Sequence, residues 1–234
     1  MNERVSAYFE ALRGKSIAVL GIGVSNRPLL RMLLARRLDV AAYDKTPREA
    51  LDDEVLQLER DGAKLHLGAD YLDGLDADVI FRTPGMRPDL PQIKRLTDRG
   101  AVLTSEMEAF FAVCPCKLIA VTGSDGKTTT TTLIAEILKH AGRTVWLGGN
   151  IGTPLLPQAE RMQPEDVAVV ELSSFQLMTM TQSADVAVVT NLAPNHLDVH
   201  RDMAEYVAAK ENVFLHQSPD GLLVLNMDNA VTDG

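Results

Sequence analysis

The sequence predicts an α/β fold made of two parallel sheets in succession, and three observations carry that expectation. Short runs of apolar and β-branched residues alternate with longer segments of helical period. The alternation runs through the first half of the chain and then restarts at Lys117. Two of the strands run directly into glycine-bearing turns that open helices, as in right-handed βαβ units.

Ser16–Leu20 reads as a buried strand and Pro28–Arg37 as the helix after it. Val40–Tyr43 is a second strand and Pro47–Arg60 a second helix. Asp78–Phe81 is a third strand, ended by Pro84-Gly85, and Ala101–Leu103 a short fourth. Ser105 then caps a helix through Phe111, because its hydroxyl can accept from a free first-turn amide. In the second half, Lys117–Val121 is a strand leading into a Gly-rich loop and a Thr-rich helix. Val167–Val170 and Val186–Val189 are continuously apolar, as expected of strands covered on both faces. Met203–Gln217 reads as a helix and Leu222–Leu225 as a last strand. Asn226–Asn229 should open one more βα unit. The boundary between domains falls near Val113–Cys116, giving 1–113 and 114–234.

Composition narrows the class. At 234 residues the chain exceeds the usual single-domain size, so two domains are expected. Its 23 Lys and Arg against 32 Asp and Glu leave a net charge of -9, unsuited to coating nucleic acid. There is no apolar run long enough for a membrane span and no signal-peptide layout at Met1–Arg4, so a cytosolic protein is expected. Cys114 and Cys116 are too few soft ligands for a structural zinc site and read as free thiols in a connector.

Four stretches carry chemistry. Gly21-Ile22-Gly23-Val24-Ser25-Asn26 follows the first strand, where glycines let the backbone approach a ligand and the next helix offers free N–H groups. Asn26 replaces the third glycine of the dinucleotide fingerprint, and Asp44 ends the second strand, where such folds meet a ribose hydroxyl. Thr122-Gly123-Ser124-Asp125-Gly126-Lys127-Thr128-Thr129 forms an anion cradle in which Lys127 can neutralise phosphate charge and Thr128 can reach Mg²⁺. Val121 stands where the long P-loop pattern has glycine. Glu171, at the carboxyl end of a strand near that cradle, is placed to hold Mg²⁺. His196, Asp198 and His200 share a loop after a further strand, and Lys210 lies on the next helix. The expected architecture is a Rossmann-like parallel-sheet N-terminal domain, then a P-loop-type α/β domain.

Together these stretches resemble the Mur ligase family. The family's TGTNGKT, strand-end Glu, His loop and AAK stand here as Thr122–Thr128, Glu171, His196 and Ala208-Ala209-Lys210. Glu171–Leu177, Gly148–Gly152 and the N-terminal Gly-Ile-Gly-Val-Ser are similar to the branch that adds D-glutamate. Ser124-Asp125 replaces Thr-Asn, which leaves a loop that acts through backbone amides intact. Asn195 stands where an acidic residue is common before the His.

The resemblance implies three domains, of which this chain would hold the first and the front part of the second, an ATP-binding domain. It implies an ATP-dependent amide ligase of peptidoglycan precursor synthesis, with UDP-N-acetylmuramoyl-L-alanine, D-glutamate and ATP as partners, and a chain that, holding only part of that enzyme, is not expected to form the amide by itself. Residues 123–129 (Gly123, Ser124, Asp125, Gly126, Lys127, Thr128 and Thr129) would bind ATP. Thr128 and Glu171 would hold one Mg²⁺, and His196 with a carbamylated Lys210 a second, since an ammonium cannot ligate a cation. Lys127, His196 and Lys210 would serve catalysis; Val24, Ser25, Asp44, Lys45 and Gly85 would line the uridine-diphosphate site; Asn150 and His196 would meet the muramoyl-peptide end. An NAD-dependent dehydrogenase is the rival suggested by Gly21–Asn26 and Asp44, but it leaves Gly123–Thr129 without a role. Another Mur-type ligase, or a nucleotide-binding module without activity, are the remaining alternatives.

Overall fold

A computed structural model of the protein describes residues 2–195 and 198–232. The chain divides into two compact units, Glu3–Ala109 and the residues from Phe110 onward.

The first unit contains α1 (Glu3–Glu10), β1 (Ser16–Leu20), α2 (Asn26–Ala35), β2 (Asp39–Asp44), α3 (Asp53–Arg60), β3 (Lys64–Leu67), β4 (Val79–Arg82), α4 (Pro91–Thr97) and β5 (Val102–Thr104). The helix α5 (Glu106–Val113) straddles the division. All five strands are parallel, in the order β3-β2-β1-β4-β5. β1 is central because four of its five residues are buried, so both faces can be covered. Ala18, Leu20 and Ile80 pack with Ile93 and Leu96 of α4 in one cluster. The Asp52 side chain caps α3 by accepting from the Val55 amide at 3.1 Å. This cap splits the expected helix 47–60 into a 3-10 turn, Arg48–Ala50, and α3.

The second unit contains β6 (Lys117–Thr122), α6 (Lys127–His140), β7 (Val145–Gly149), β8 (Val167–Glu171), α7 (Ser174–Leu177), β9 (Val186–Val189), α8 (Met203–Glu211) and β10 (Leu222–Leu225). Its sheet is also parallel, in the order β10-β9-β6-β8-β7. After β6 the chain moves to one side for β7 and β8, then crosses to the other for β9. Such a reversal leaves a crevice at the carboxyl ends of the central strands, the usual ligand site of open parallel sheets. α8 ends at Glu211 rather than Gln217, because the next residues tie down locally: the Asn212 side chain donates to Leu177 O at 2.9 Å and the Ser183 hydroxyl to Asn212 O at 2.8 Å. Among the described residues no helix is long and apolar enough to cross a membrane.

Candidate functional site

The phosphate cradle leaves β6 at Thr122. Gly123 has φ +143°, and a Cβ there would sit 2.0 Å from Thr190 Oγ1, so only glycine lets the loop after β9 come this close. That loop holds the cradle in shape. Ser124 N donates to Asn191 O at 2.9 Å, Asp125 N to Asn191 Oδ1 at 2.9 Å, and Thr190 Oγ1 to Asp125 O at 2.6 Å. The Ser124 hydroxyl donates to Ala193 O at 2.9 Å and lies 2.9 Å from the Tyr206 hydroxyl of α8. Gly126 is left-handed at the N-cap of α6, which presents the first-turn N–H groups and their positive dipole end to the crevice. Lys127 folds back on the loop, its Nζ donating to Ser124 O at 2.9 Å, and Thr129 is exposed two residues on.

Next to the cradle lies a buried carboxylate. Glu171 ends β8 and is 1% exposed. Thr128 Oγ1 donates to its Oε2 at 2.6 Å and Asn150 Nδ2 to its Oε1 at 2.9 Å. The two residues expected to share a Mg²⁺ therefore already meet, and Asn150 joins them. An alcohol oxygen beside a carboxylate is a donor pair of the kind a hard cation takes. Among the described residues no group of three or more His, Cys, Asp and Glu could hold a metal.

Lys210 reaches the same crevice from α8. It is 2% exposed, and its Nζ donates to Gly123 O at 2.9 Å and to Thr122 Oγ1 at 3.2 Å. Burial pulls its pKa down to about 7, with the Lys127 charge pushing the same way and Glu171 opposing. Because the folded value lies below the ordinary 10.5, the unfolded chain binds more protons between pH 7 and 10.5. Stability must rise with pH across that window. Without nucleotide or Mg²⁺, Tm should climb from pH 7 to 9, and Lys210→Met should flatten the climb. Parallel Tm profiles of the two proteins would show that Lys210 is not the group responsible.

His196 lies outside the described residues. His200, from the same cluster, is a core residue instead: its Nε2 is 2.9 Å from Ser174 Oγ and its ring stacks on Phe175 at 5.3 Å.

In the first unit a cavity of about 430 Å³ opens at the carboxyl ends of β1, β2 and β4. Asp44, Lys45 and Gly85 line it as expected, with Tyr71, Thr83 and Met86 in addition. Val24 and Ser25 are not among its lining residues; Val24 is exposed beside the turn. Asp44 accepts from Ile22 N at 2.7 Å and Thr46 N at 2.9 Å, and these amides hold its pKa below the ordinary carboxylate value against the opposing effect of burial. Asn26, in place of the third glycine, donates to Gly21 O at 2.8 Å and so fastens the turn. A cavity of about 480 Å³ near Lys15 lies at the opposite, amino-terminal edge of the sheet, where no topological crevice exists.

Residues 121–233 match the model of the Mur ligase middle domain. The whole chain is 52% identical over 235 residues to UDP-N-acetylmuramoylalanine--D-glutamate ligase of Clostridium botulinum. The chain belongs to the Mur ligase family. A ligase of the same name from Ruminiclostridium cellulolyticum is 51% identical over 233 residues, which is 99% of this chain and 50% of that one. This Mur ligase chain spans about half the length of the curated relatives it matches, 51% of the first. Two solved structures share the fold. UDP-N-acetylmuramate-alanine ligase of Thermotoga maritima matches with a TM-score of 0.52 and 21% identity over 93% of this chain and 50% of that one. UDP-N-acetylmuramate:L-alanyl-gamma-D-glutamyl-meso-diaminopimelate ligase of Neisseria meningitides matches with a TM-score of 0.54 and 20% identity over 91% and 71%.

Proposed function

We propose that the protein is an ATP-dependent amide ligase that joins D-glutamate to UDP-N-acetylmuramoyl-L-alanine in cytoplasmic peptidoglycan precursor synthesis. The observation that carries this is the Thr128–Glu171–Asn150 cluster beside an amide-lined cradle with two lysines. It is supported by the 52% identity to ligases of that name. In the proposed reaction a carboxylate oxygen of the UDP substrate attacks the γ-phosphorus of ATP, and ADP leaves. The amine of D-glutamate then attacks the acyl carbon of the acyl phosphate, loses a proton, and phosphate leaves.

Phosphoryl transfer of this kind depends on positioning and charge neutralisation. The amides of Gly123–Thr129 cradle the phosphates, and Lys127 leaves Ser124 O to meet their negative charge. Thr128 and Glu171 are the residues that would hold a Mg²⁺, and His196 with a carbamylated Lys210 a second. Such ions supply neutralisation of charge on the phosphate oxygens. Lys210 suits carbamylation because burial leaves a large share of its amine neutral near pH 7, and only the neutral amine adds to CO₂. Asn150, held on Glu171, would contact the muramoyl-peptide end, and the first unit's cavity would take the uridine diphosphate.

Calorimetric titration of the chain separates this from the dehydrogenase reading. UDP-N-acetylmuramoyl-L-alanine should bind and NAD should give no heat. Tight NAD binding with no response to the UDP compound would favour the dehydrogenase reading and sink this one.

A further inference from the structure

One wall of the first unit's cavity is built in an unusual way. Thr83, Gly85 and Met86 form it, directly after β4. The last residue of β4 is Arg82, and it is 1% exposed. Its side chain turns back under its own loop: Nη1 donates to Met86 O at 2.6 Å, Pro84 O at 2.7 Å and Thr83 O at 3.3 Å. The wall is closed from the other side as well. Thr83 N donates to Leu20 O at 2.9 Å, and a Cβ on Gly21 would sit 2.9 Å from Thr83 Cγ2.

A guanidinium is costly to bury, and a hydrophobic residue of similar volume often serves a core as well or better. Burial does pull the Arg82 pKa down to about 10, while the Glu108 carboxylate favours the charged form, so the group stays cationic at neutral pH. What Nη1 supplies, and an apolar side chain cannot, is a pair of N–H donors shared among three carbonyls at once. Those carbonyls belong to a wall residue, Thr83, to its neighbour Pro84 and to a second wall residue, Met86. With its carbonyls tied inward, the loop's remaining backbone edge at Gly85 faces the cavity in one conformation. A ligand meeting a preformed wall loses less ordering entropy on binding.

We infer that Arg82 is a positioning residue of the nucleotide-sugar site: it holds the Thr83–Met86 wall in its binding conformation before any ligand arrives. The inference rests on the proposed uridine-diphosphate role of this cavity. Arg82 itself touches no ligand in this arrangement and acts through the wall.

The test uses two ligands, UDP and UDP-N-acetylmuramoyl-L-alanine, and two variants. Arg82→Met removes all the donors; Arg82→Lys keeps the charge near Glu108 but replaces the fork by a single ammonium. Both Kd values should rise at least ten-fold in Arg82→Met and by a smaller factor in Arg82→Lys, with circular dichroism showing folded protein at the titration temperature. An unchanged Kd in a folded variant overturns the positioning role. Hydrogen exchange on the unaltered chain decides independently of whether either variant folds. The amides of Thr83 and Met86 should be protected without ligand; exchange at open-loop rates until UDP is added would overturn preformation. If the unaltered chain binds neither UDP compound, the uridine role of the cavity falls, a failure distinct from an unchanged Kd in the variants.

Discussion

Gly149→Ala should unfold the second unit at a markedly lower temperature. Gly149 pairs with Glu171 across β7 and β8 and has φ +98°. A Cβ there would lie 2.1 Å from Glu171 O and 3.0 Å from its C and N atoms. All three are backbone atoms of a fully buried strand, so no rotamer change relieves the overlap. Gly123 makes a useful contrast. Its Cβ would meet a side-chain atom, Thr190 Oγ1, at 2.0 Å and backbone, that of Asn191, only at 3.1–3.2 Å, so Gly123→Ala should cost less in stability than Gly149→Ala while breaking the Thr190 bond to Asp125 O. At Gly149 the left-handed backbone alone costs an alanine about 1–2 kcal/mol. Parting the two strands adds to that, for a total of about 3–5 kcal/mol, at the upper end for single substitutions. For a domain whose whole stability is roughly 5–15 kcal/mol, that is a large share. Calorimetry should show the transition of the second unit falling by roughly 10 °C or more, with the first unit's transition in place. A shift of only a degree or two would mean that β7 does not approach β8 this closely.

The same position shows why parts of the fold were not legible in the sequence. Val145–Gly149, which ends in two adjacent glycines, is not among the strands expected from the sequence, yet it is a strand, and Gly149 leaves room for the Glu171 backbone beside it. Lys64–Leu67 is an edge strand of alternating exposure with too little apolar signal to stand out. The strands that were legible, Ser16–Leu20 and Val186–Val189, are central and apolar, and their ends are those expected. Leu222–Leu225 also has the expected ends, although it is an edge strand, because it is apolar throughout. Cys114 and Cys116 are free thiols, as expected, with their sulfur atoms 3.6 Å apart.

The site divides along a similar line. Glycines, a lysine and a threonine after a strand announce a phosphate cradle, because local backbone geometry makes the site. Thr128 and Glu171 are 43 positions apart, yet each marks itself by lying at the end of its strand or the start of its helix. Tyr206 and Arg82 carry no such mark. Tyr206 is an ordinary helix residue until the fold brings its hydroxyl to Ser124, and Arg82 an ordinary strand-end charge until its loop closes over it. Side chains that act by bracing other residues become visible only through tertiary contact.

In a ligase of the relatives' full length that carries this sequence, Lys127→Ala should abolish turnover while leaving the fold and the binding of UDP-N-acetylmuramoyl-L-alanine intact. Lys127 is half-buried at the start of α6, and its side chain donates to Ser124 O, within its own loop. Losing that bond costs about 0.5–1.5 kcal/mol at most, and alanine is the better helix former. Stability should therefore move by less than the error that separates folded from unfolded protein at assay temperature. The chemistry is affected quite differently. Charge develops on the phosphate oxygens during transfer, and Lys127 is the half-exposed cation of the cradle, whereas Lys210 is buried and held on Gly123 O and Thr122 Oγ1. Removing one such preorganised charge or donor typically costs about 10²–10³-fold in kcat. The loss should fall on kcat and kcat/KM for ATP together, the pattern of an interaction made mainly in the transition state. The cavity proposed for the UDP compound lies among residues of the other compact unit, so its Kd should stay within about two-fold, a difference of roughly 0.4 kcal/mol. Phosphate release measured with ATP, Mg²⁺, UDP-N-acetylmuramoyl-L-alanine and D-glutamate gives the first quantity, and calorimetric titration the second. Turnover within ten-fold of the unaltered protein would remove Lys127 from the reaction. A parallel loss of UDP-compound binding would show instead that the substitution had damaged the whole chain.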